Sequence, residues 1–510
     1  MNRKTGAVLS YIFMIIEVLS TLLLTPLIIS SLGDAEYGVY KLIASVTGYL
    51  LLLDLGMGNS VVRYVAKFKE TNDPDSNRKF IGVCIIFYSI ISLVVIALGG
   101  LLIAFFQDIF AKGLSASEIE LSKKLLVLTV LNAAVTLGTS VFNNIIIAYS
   151  RFTVSKGSAI IQVLARIVLT IVALELGFKS ISIVAINLVL TVAVRFYYII
   201  YVLYVLKLKP KFRNIDFSFI KEIVAYSSFI LLQMIATQIN SYADQVLLGI
   251  FVTSSAVIIG VYGVGSQIVQ YFQSMGQALG GVLMPGVVKL VEKGATPKEL
   301  QNEMVRIGRY SFCLLGIIFA GFAVNGKTFL SLWVGDGYTN SYYVALILMF
   351  AYLIILTESI GTQILWAKNK HQLQSVIKCF IVIANVVFTI YLIKWNPLIG
   401  ATIGTFISLM LGDVLCMNIV FKKEIGISLK GYYFGLIKGI LPCLMLSSIS
   451  GYLLLFFDLP AFFSIALNIV VMVAVYAVTL WLFGFNNAEK ELVKSIVGKL
   501  KFTRNKQSDM

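Results

Sequence analysis

The sequence predicts an all-α polytopic membrane protein, and three observations predict it. Of the 510 residues, 59% are hydrophobic and only 13% charged, with a mean hydropathy of +0.91. A chain of soluble domains needs charged surface on each of them, so that composition excludes the soluble reading. Apolar runs recur from residue 7 to residue 484, each about 20 residues or longer and so sufficient to cross a ~30 Å hydrocarbon core. These runs are continuously apolar, whereas the strands of a membrane barrel alternate apolar and polar residues, which excludes a β-barrel.

About fourteen spans follow in order. They cover roughly 7–30, 37–57, 80–106, 124–148, 153–175, 180–205, 223–250, 256–283, 307–331, 341–366, 372–393, 397–420, 434–457 and 460–484. The first run is too long for the core of a signal peptide, carries Glu17 and lacks a small-x-small cleavage site, so it is expected to remain as a helix. Trp333, Trp366, Trp395 and Trp481 fall at or near span ends, where an indole meets both chain and headgroup. Cys84, Cys313, Cys379, Cys416 and Cys443 each lie in a different span without paired spacing, as buried thiols do.

The net charge of +16 suggests nucleic acid until the 41 basic residues are sorted by loop. With the N-terminus inside, roughly 31 of the 41 fall on inner segments. Outer loops keep only Lys112, Lys123, Lys124, Lys179, Lys327 and Lys394. The basicity is therefore topological, no nucleic-acid partner is implied, and both termini are expected in the cytoplasm of a multi-pass protein of the cell (inner or plasma) membrane.

A shift of 222 residues superimposes Gly38-Val39-Tyr40 on Gly260-Val261-Tyr262, Tyr49 on Tyr271, Gly58 on Gly280, Val65 on Val287, Lys67 on Lys289 and Glu70 on Glu292. The second span thus matches the eighth. An offset of six spans, an even number, gives the halves the same orientation, as in transporters whose repeats are related by an axis along the membrane normal. The expected organisation is an N-terminal six-helix lobe at 1–206, a cytoplasmic linker at 207–222 and a C-terminal six-helix lobe at 223–421. Two extra spans at 422–484 and a basic amphipathic tail at 485–510 complete it. In the tail Leu492, Val493, Ile496, Val497 and Leu500 form a stripe beside Lys490, Lys494, Lys499 and Lys501, read as a helix on the inner leaflet. It is expected to touch neither repeat, so truncation after Asn487 is expected to leave transport largely intact.

Polar residues inside spans are costly and belong against a cavity or a partner. Gln233, Thr237, Asn240, Ser241 and Asp244 recur at helical spacing on the seventh span, with Gln238 on the same helix; Gln267, Gln270, Ser274 and Gln277 do so on the eighth. Amides offer donors and acceptors together, which suits sugar hydroxyls; the alternative is hydrogen bonding to neighbouring helices. The ionisable residues within spans are Glu17, Lys41, Asp54, Arg166, Glu175, Arg195, Asp244, Glu358, Lys378 and Asp413. Arg166 lies near the midplane and either pairs with an acid of its own lobe or meets an anionic substrate. Glu17 either binds a coupling cation or proton, or packs against a basic neighbour. Lys41, Asp54 and Lys378 lie near span ends, within reach of the interface.

Gly321 to Thr328 matches the phosphate-binding loop pattern letter for letter, but it terminates an apolar helix where no strand precedes it, so ATP binding is not expected. The only histidine, His371, starts an inner helix end, and no histidine-cysteine cluster exists. No catalytic residue, metal site or cofactor is expected.

Ser31-Leu-Gly-Asp-Ala-Glu-Tyr-Gly-Val-Tyr40 and Asp54-Leu-Gly-Met-Gly-Asn-Ser-Val-Val-Arg63-Tyr-Val-Ala resemble the start of the oligosaccharide flippases and polysaccharide biosynthesis proteins. Tyr242-Ala-Asp-Gln-Val-Leu-Leu-Gly249 before Gly260-Val-Tyr262, and Trp366-Ala-Lys-Asn-Lys-His371 before Leu398-Ile-Gly-Ala-Thr402, resemble that family's second half. The resemblance covers roughly residues 10 to 420 and rests on order and spacing. It implies membership of the multidrug, oligosaccharidyl-lipid and polysaccharide exporter superfamily, with two six-helix lobes facing a central cavity. It also implies a flippase that carries an isoprenoid-pyrophosphate-linked oligosaccharide from inner to outer leaflet by alternating access, coupled to a proton or sodium gradient. Glycan polymerase or glycosyltransferases are the implied partners besides the bilayer. The competing functions are a multidrug or small-cation exporter of the same superfamily and a membrane glycosyltransferase or polymerase; short outer loops weigh against the enzyme. The expected substrate-binding residues are Arg166, Arg195, Gln233, Gln238, Asn240, Gln267, Gln270 and Gln277, and the expected ion-coupling residues Glu17, Asp244 and Glu358. Arginine is chosen because a diphosphate in a water-poor cavity needs planar, paired donors whose charge is not lost by deprotonation.

Overall fold

The structure, a computed structural model, describes residues 3–54, 56–212, 218–457, 459–491 and 494, with the side chains of 3–5, 7, 218–231 and 279–285 outside the description. Among the described residues it is helical throughout, without a strand. Twelve spans pass length and composition there. They are α1 (Val8–Leu32), α2 (Asp34–Glu70), α3 (Pro74–Phe110), α4 (Ala116–Ala148), α5 (Phe152–Glu175), α6 (Ser180–Val205), α9 (Pro297–Val334), α10 (Ser341–Thr357 with Ser359–Ala367), α11 (His371–Leu392), α12 (Pro397–Ile425), α13 (Leu429–Ile437 with Ile440–Leu454) and α14 (Ala461–Gly484). Between them run α7 (Ser218–Phe251) and α8 (Ala256–Glu292), of 34 and 37 residues. Each of the fourteen predicted spans has its helix. Many large apolar side chains are exposed, Phe196, Tyr204, Phe456 and Phe483 among them, as lipid-facing surface requires.

Helix starts obey local chemistry. Ser115 with Glu118 and Thr296 with Glu299 are complete capping boxes, and Asp73, Thr296 and Asn396 each cap a helix whose next residue is proline. Each side chain answers orphan backbone N–H groups, worth about 1 kcal/mol, and proline fits the first turn because it lacks the N–H that would be orphaned.

The chain divides into two compact units, one of residues 1–265 and 371–412, the other of 266–370 and 413–510. In the first, α1 packs on α5, α2 on α4 and α7, α3 on α4, α5 on α6, α7 on α11, and α11 on α12. Lipid supplies no hydrophobic drive between helices, so close approach and polar contacts carry the association. Gly38 of α2 shows it: a Cβ there would lie 1.7 Å from the carbonyl oxygen of Ala256, and one on Gly260 would lie 3.5 Å from the Cα of Gly38. The two glycines that the repeat makes equivalent therefore face each other, near the N-terminal ends of α2 and α8. Below them the Ser45 hydroxyl donates to Gln245, and the Tyr49 and Tyr242 rings meet edge to face at 6.2 Å. Where the basic linker begins, the Lys211 ammonium bonds Asp75 at 2.8 Å and its backbone N–H donates to Arg78, fastening it to the start of α3.

In the second unit α9 packs on α10, α13 and α14, and α13 on α14. The tail expectation is corrected here. Glu489, beyond Asn487, lies buried against Arg309 of α9, taking bonds of 2.6 Å and 2.9 Å from Nε and Nη2. Arg309 also donates to the carbonyls of Gly435, Lys438 and Gly484. The tail thus supplies the counter-charge of a buried arginine in the second repeat, which a stripe of leucines and lysines does not reveal. That stripe itself, Leu492, Val493, Ile496, Val497 and Leu500, lies outside the described residues.

Candidate functional site

The second repeat builds a carboxylate site from four helices. Asn240 and Asp244 stand four residues apart on α7, hence on one face, and meet Tyr262 of α8, Asn385 and Thr389 of α11 and Thr405 of α12. The hydroxyls of Tyr262 and Thr405 both donate to Asp244 Oδ2, and Thr389 Oγ1 lies 3.1 Å from Oδ1. Asn385 Nδ2 reaches Asn240 Oδ1 at 2.7 Å and Thr405 Oγ1 at 3.1 Å. The register depends on close helix approach, since a Cβ on Gly404 would lie 2.6 Å from Thr389 Oγ1. Asp244 is 3% exposed and Asn385 and Thr389 fully buried. Among the described residues no lysine or arginine pairs with this carboxylate. The single Thr389 hydroxyl proton faces two acceptors, Asp244 Oδ1 and Asn385 Oδ1 at 3.0 Å. A buried anion ringed by hydroxyl and amide oxygens is chemistry for a proton or a monovalent cation.

The first repeat handles charge differently. Arg166 Nη2 of α5 bonds Glu17 Oε1 of α1 at 3.1 Å, with the two side chains 28% and 41% exposed. The residue expected to meet substrate and the residue expected to couple ions are thus each other's partners. Arg195 of α6 instead lines a polar cavity of about 200 Å³ with Asn143 of α4, Lys156 and Gln162 of α5, and Thr191 and Tyr198. Its guanidinium lies over the Tyr198 ring at 5.9 Å, and the Lys156 ammonium over Phe13 at 5.3 Å. Among the described residues neither cation has a carboxylate within salt-bridge distance. The cavity's own hydrogen bonds, Ser155 to Asn143 Oδ1 at 2.7 Å and Gln162 to Thr191 at 3.3 Å, leave both cations unused. Uncompensated positive charge inside a membrane fold, beside further donors, is chemistry for an anion.

The amide stripes divide. Asn240 turns into the Asp244 site, whereas Gln238 makes a long 3.5 Å contact to the Gly48 carbonyl. Gln267 bonds the Tyr271 hydroxyl at 2.9 Å, Gln233 Oε1 is buried without a partner, and Gln270 and Gln277 are exposed. Glu358 is buried in the second unit, whereas Asp244 belongs to the first. The phosphate-loop match runs through continuous helix in α9, with its N–H groups engaged along the helix. Among the described residues no three His, Cys, Asp or Glu side chains converge on a metal position. Sequence reasoning missed Tyr262, Asn385, Thr389 and Thr405, and likewise Lys156, Asn143 and Gln162. Asn385 and Thr389 did carry a signal, two polar residues four apart in an apolar span, as did Tyr262 within the repeat.

Comparison with known proteins places this geometry. The family model of polysaccharide biosynthesis proteins matches residues 4–291. The probable low-salt glycan biosynthesis flippase Agl15 of Haloferax volcanii is 24% identical over 209 residues, 41% of this chain and 42% of that protein, so the match spans under half of the relative. The lipid II flippase MurJ in an inward closed conformation superimposes with a TM-score of 0.72 at 14% identity, over 93% of this chain and 97% of MurJ. A multidrug resistance MATE family transporter of the MOP superfamily, inward-facing, gives 0.67 at 15% identity, over 80% and 94%. The MATE multidrug transporter DinF-BH, in complex with R6G, gives 0.62 at 13%, over 83% and 96%. These structures establish a shared fold. With more than half of its length matched by the family model and the fold of MurJ and the MATE transporters, this chain belongs to the polysaccharide biosynthesis protein family.

Proposed function

We propose that the protein is a flippase that moves an isoprenoid-pyrophosphate-linked oligosaccharide from the inner to the outer leaflet by alternating access, driven by a cation gradient. The observation that carries this reading is the donor-rich pocket in the first repeat, where Arg195 and Lys156 lack an acidic partner. An exporter of cationic drugs would meet repulsion there, whereas a diphosphate supplies the missing negative charge. The similarity to Agl15, a probable low-salt glycan biosynthesis flippase, points the same way.

The Asp244 site supplies the coupling. A proton or sodium ion bound there neutralises the carboxylate and draws together α7, α8, α11 and α12, which contribute its oxygen neighbours; release leaves a bare buried anion and loosens the same helices. The contact of α2 with α7 and the start of α8 closes the end predicted to lie outside, so cation-dependent movement of α7 and α8 opens and shuts that end. Arg166 stays with Glu17 and orders α1 against α5, and the exposed amides Gln270 and Gln277 are free for sugar hydroxyls.

The test is flipping of a fluorescent polyprenyl-diphosphate oligosaccharide in proteoliposomes with an imposed sodium or proton gradient. Gradient-stimulated flipping is expected from the native chain. Arg195→Gln is expected to lower the rate about tenfold at unchanged folded level, which corresponds to the loss of one charge-assisted contact of ~1.4 kcal/mol. Gradient-driven export of organic cations without lipid flipping would replace this reading with the multidrug one.

A further inference from the structure

We infer that Glu358, Asn418 and Tyr433 form a second cation site, separate from Asp244 and completed by the appended helix α13. The site lies wholly within the second compact unit. Glu358 sits where α10 bends by 42°, between Thr357 and Ser359, and is 2% exposed. Asn418 comes from α12 and is 6% exposed; Tyr433 comes from α13.

The hydrogen bonds account for one carboxylate oxygen only. The Tyr433 hydroxyl donates to Glu358 Oε1, and Asn418 Nδ2 donates to the same Oε1 at 3.1 Å and to the Tyr433 oxygen at 2.7 Å. Both protons of the Asn418 amide and the proton of Tyr433 are thereby used. Among the described residues, Glu358 Oε2 and Asn418 Oδ1 are left buried, each without a partner. Two orphaned acceptors in one cluster, one of them carrying formal negative charge, are what a bound positive charge satisfies and what no further hydrogen bond within the cluster can.

The surroundings reinforce the demand. Asp413 of α12 lies close enough for its charge to act on Glu358, and Tyr432 of α13 donates its hydroxyl to the Thr357 carbonyl at 2.9 Å. From α9 the neighbouring contact at the bend is apolar, with Met304 packed on Gly361 beside Phe421 of α12. The titratable groups acting on Glu358 are therefore Tyr433, Tyr432 and Asp413, none of which supplies a cation. A monovalent metal ion or a proton completes the site. Its occupancy ties the bend of α10 to α12 and α13, which gives the appended helices a role in the transport cycle. This holds whatever the transported substrate.

The experiment uses the full-length protein with Asp244→Asn, which silences the other carboxylate. Equilibrium binding of ²²Na⁺ is measured at fixed pH, and the carboxylic C=O infrared band is followed across a pH titration. The expectation is either one sodium equivalent whose affinity falls at least about tenfold on adding Glu358→Gln and less on adding Tyr433→Phe, or no sodium and a pH-dependent band lost with Glu358→Gln. The first outcome identifies a metal ion, the second a proton. Should Glu358→Gln fail to fold, Asn418→Leu replaces it, with the same loss expected. The absence of both sodium binding and a Glu358-dependent, pH-sensitive band overturns the proposal. A failed flipping assay leaves these binding measurements untouched, so the two readings fail separately.

Discussion

The two repeats answer the same electrostatic problem in opposite ways. In the first, the acid on the opening helix, Glu17 of α1, meets Arg166 from the fifth helix at 3.1 Å. Six spans later, the acid on the opening helix of the second, Asp244 of α7, accepts from Thr389 of the corresponding fifth helix and from Thr405 and Tyr262. One half meets its carboxylate with a cationic side chain; the other surrounds it with neutral hydroxyl groups. The pair Glu17–Arg166 is also partly exposed, whereas Asp244 is buried. The side chain that the packed helix presents, Arg166 of α5 or Thr389 of α11, thus decides whether a carboxylate meets a charge or a hydroxyl.

The comparison breaks most visibly at a third charge, Arg309, whose donors are all engaged by Glu489 and backbone carbonyls. Arg309→Ala, or truncation after Asn487, strips a partner from a buried pair and is expected to cost ~3–5 kcal/mol, read as a several-fold loss of folded protein in the membrane. Unchanged abundance in both would remove the distinction between saturated and unsaturated arginines. Next comes Asp244→Asn. Folded protein is expected at near-native level, because the amide keeps hydrogen-bonding capacity, while the gradient-driven component of flipping falls by about tenfold or more. An intact gradient response would return the coupling role to the first repeat.

Gly38→Ala probes the glycine contact that joins the repeats. A methyl 1.7 Å from a backbone oxygen forces α2 off α8. A cysteine placed at Tyr49 is expected to label from outside several times faster in that background, and equal labelling would mean the helices absorb the methyl by sliding. Arg166→Gln has a smaller expected effect on folded level than Arg309→Ala, because this pair is partly exposed, and the freed Glu17 is expected to add sodium dependence to the melting temperature. Adding Glu17→Gln is expected to abolish that dependence. Smallest of all is the cap at the start of α3, where the Ser76 hydroxyl and N–H hold the exposed Asp73 carboxyl below its ordinary value. Its contribution is present above the unfolded value of ~3.9 and is lost as pH falls through the lower folded one. Amide exchange at Asn77 is expected to accelerate only in that acid window.

Much of the architecture was legible in the residues. A helix that crosses lipid satisfies its own backbone, so span length, continuous apolarity and loop charge are local properties that a sequence displays directly. The repeat was legible as well, because Gly38-Val39-Tyr40 and Gly260-Val261-Tyr262 survive as identical triplets. Candidate charges could be enumerated for the same reason, since each stands out in an apolar run. What no single segment contains is the partner. Glu17 and Arg166 are 149 residues apart, Asp244 and Thr405 161, Arg309 and Glu489 180. Whether a charge inside a span is ion-paired, as in Arg166, saturated, as in Arg309, or met by neutral groups, as in Asp244, depends on which helix faces lie within about 3 Å of it. Hydropathy and periodicity therefore determined that these helices span, in what order and with which polar residues inside them. Only the tertiary packing, which sets distances between groups remote in the chain, decided which of those residues hold the fold and which remain available to bind.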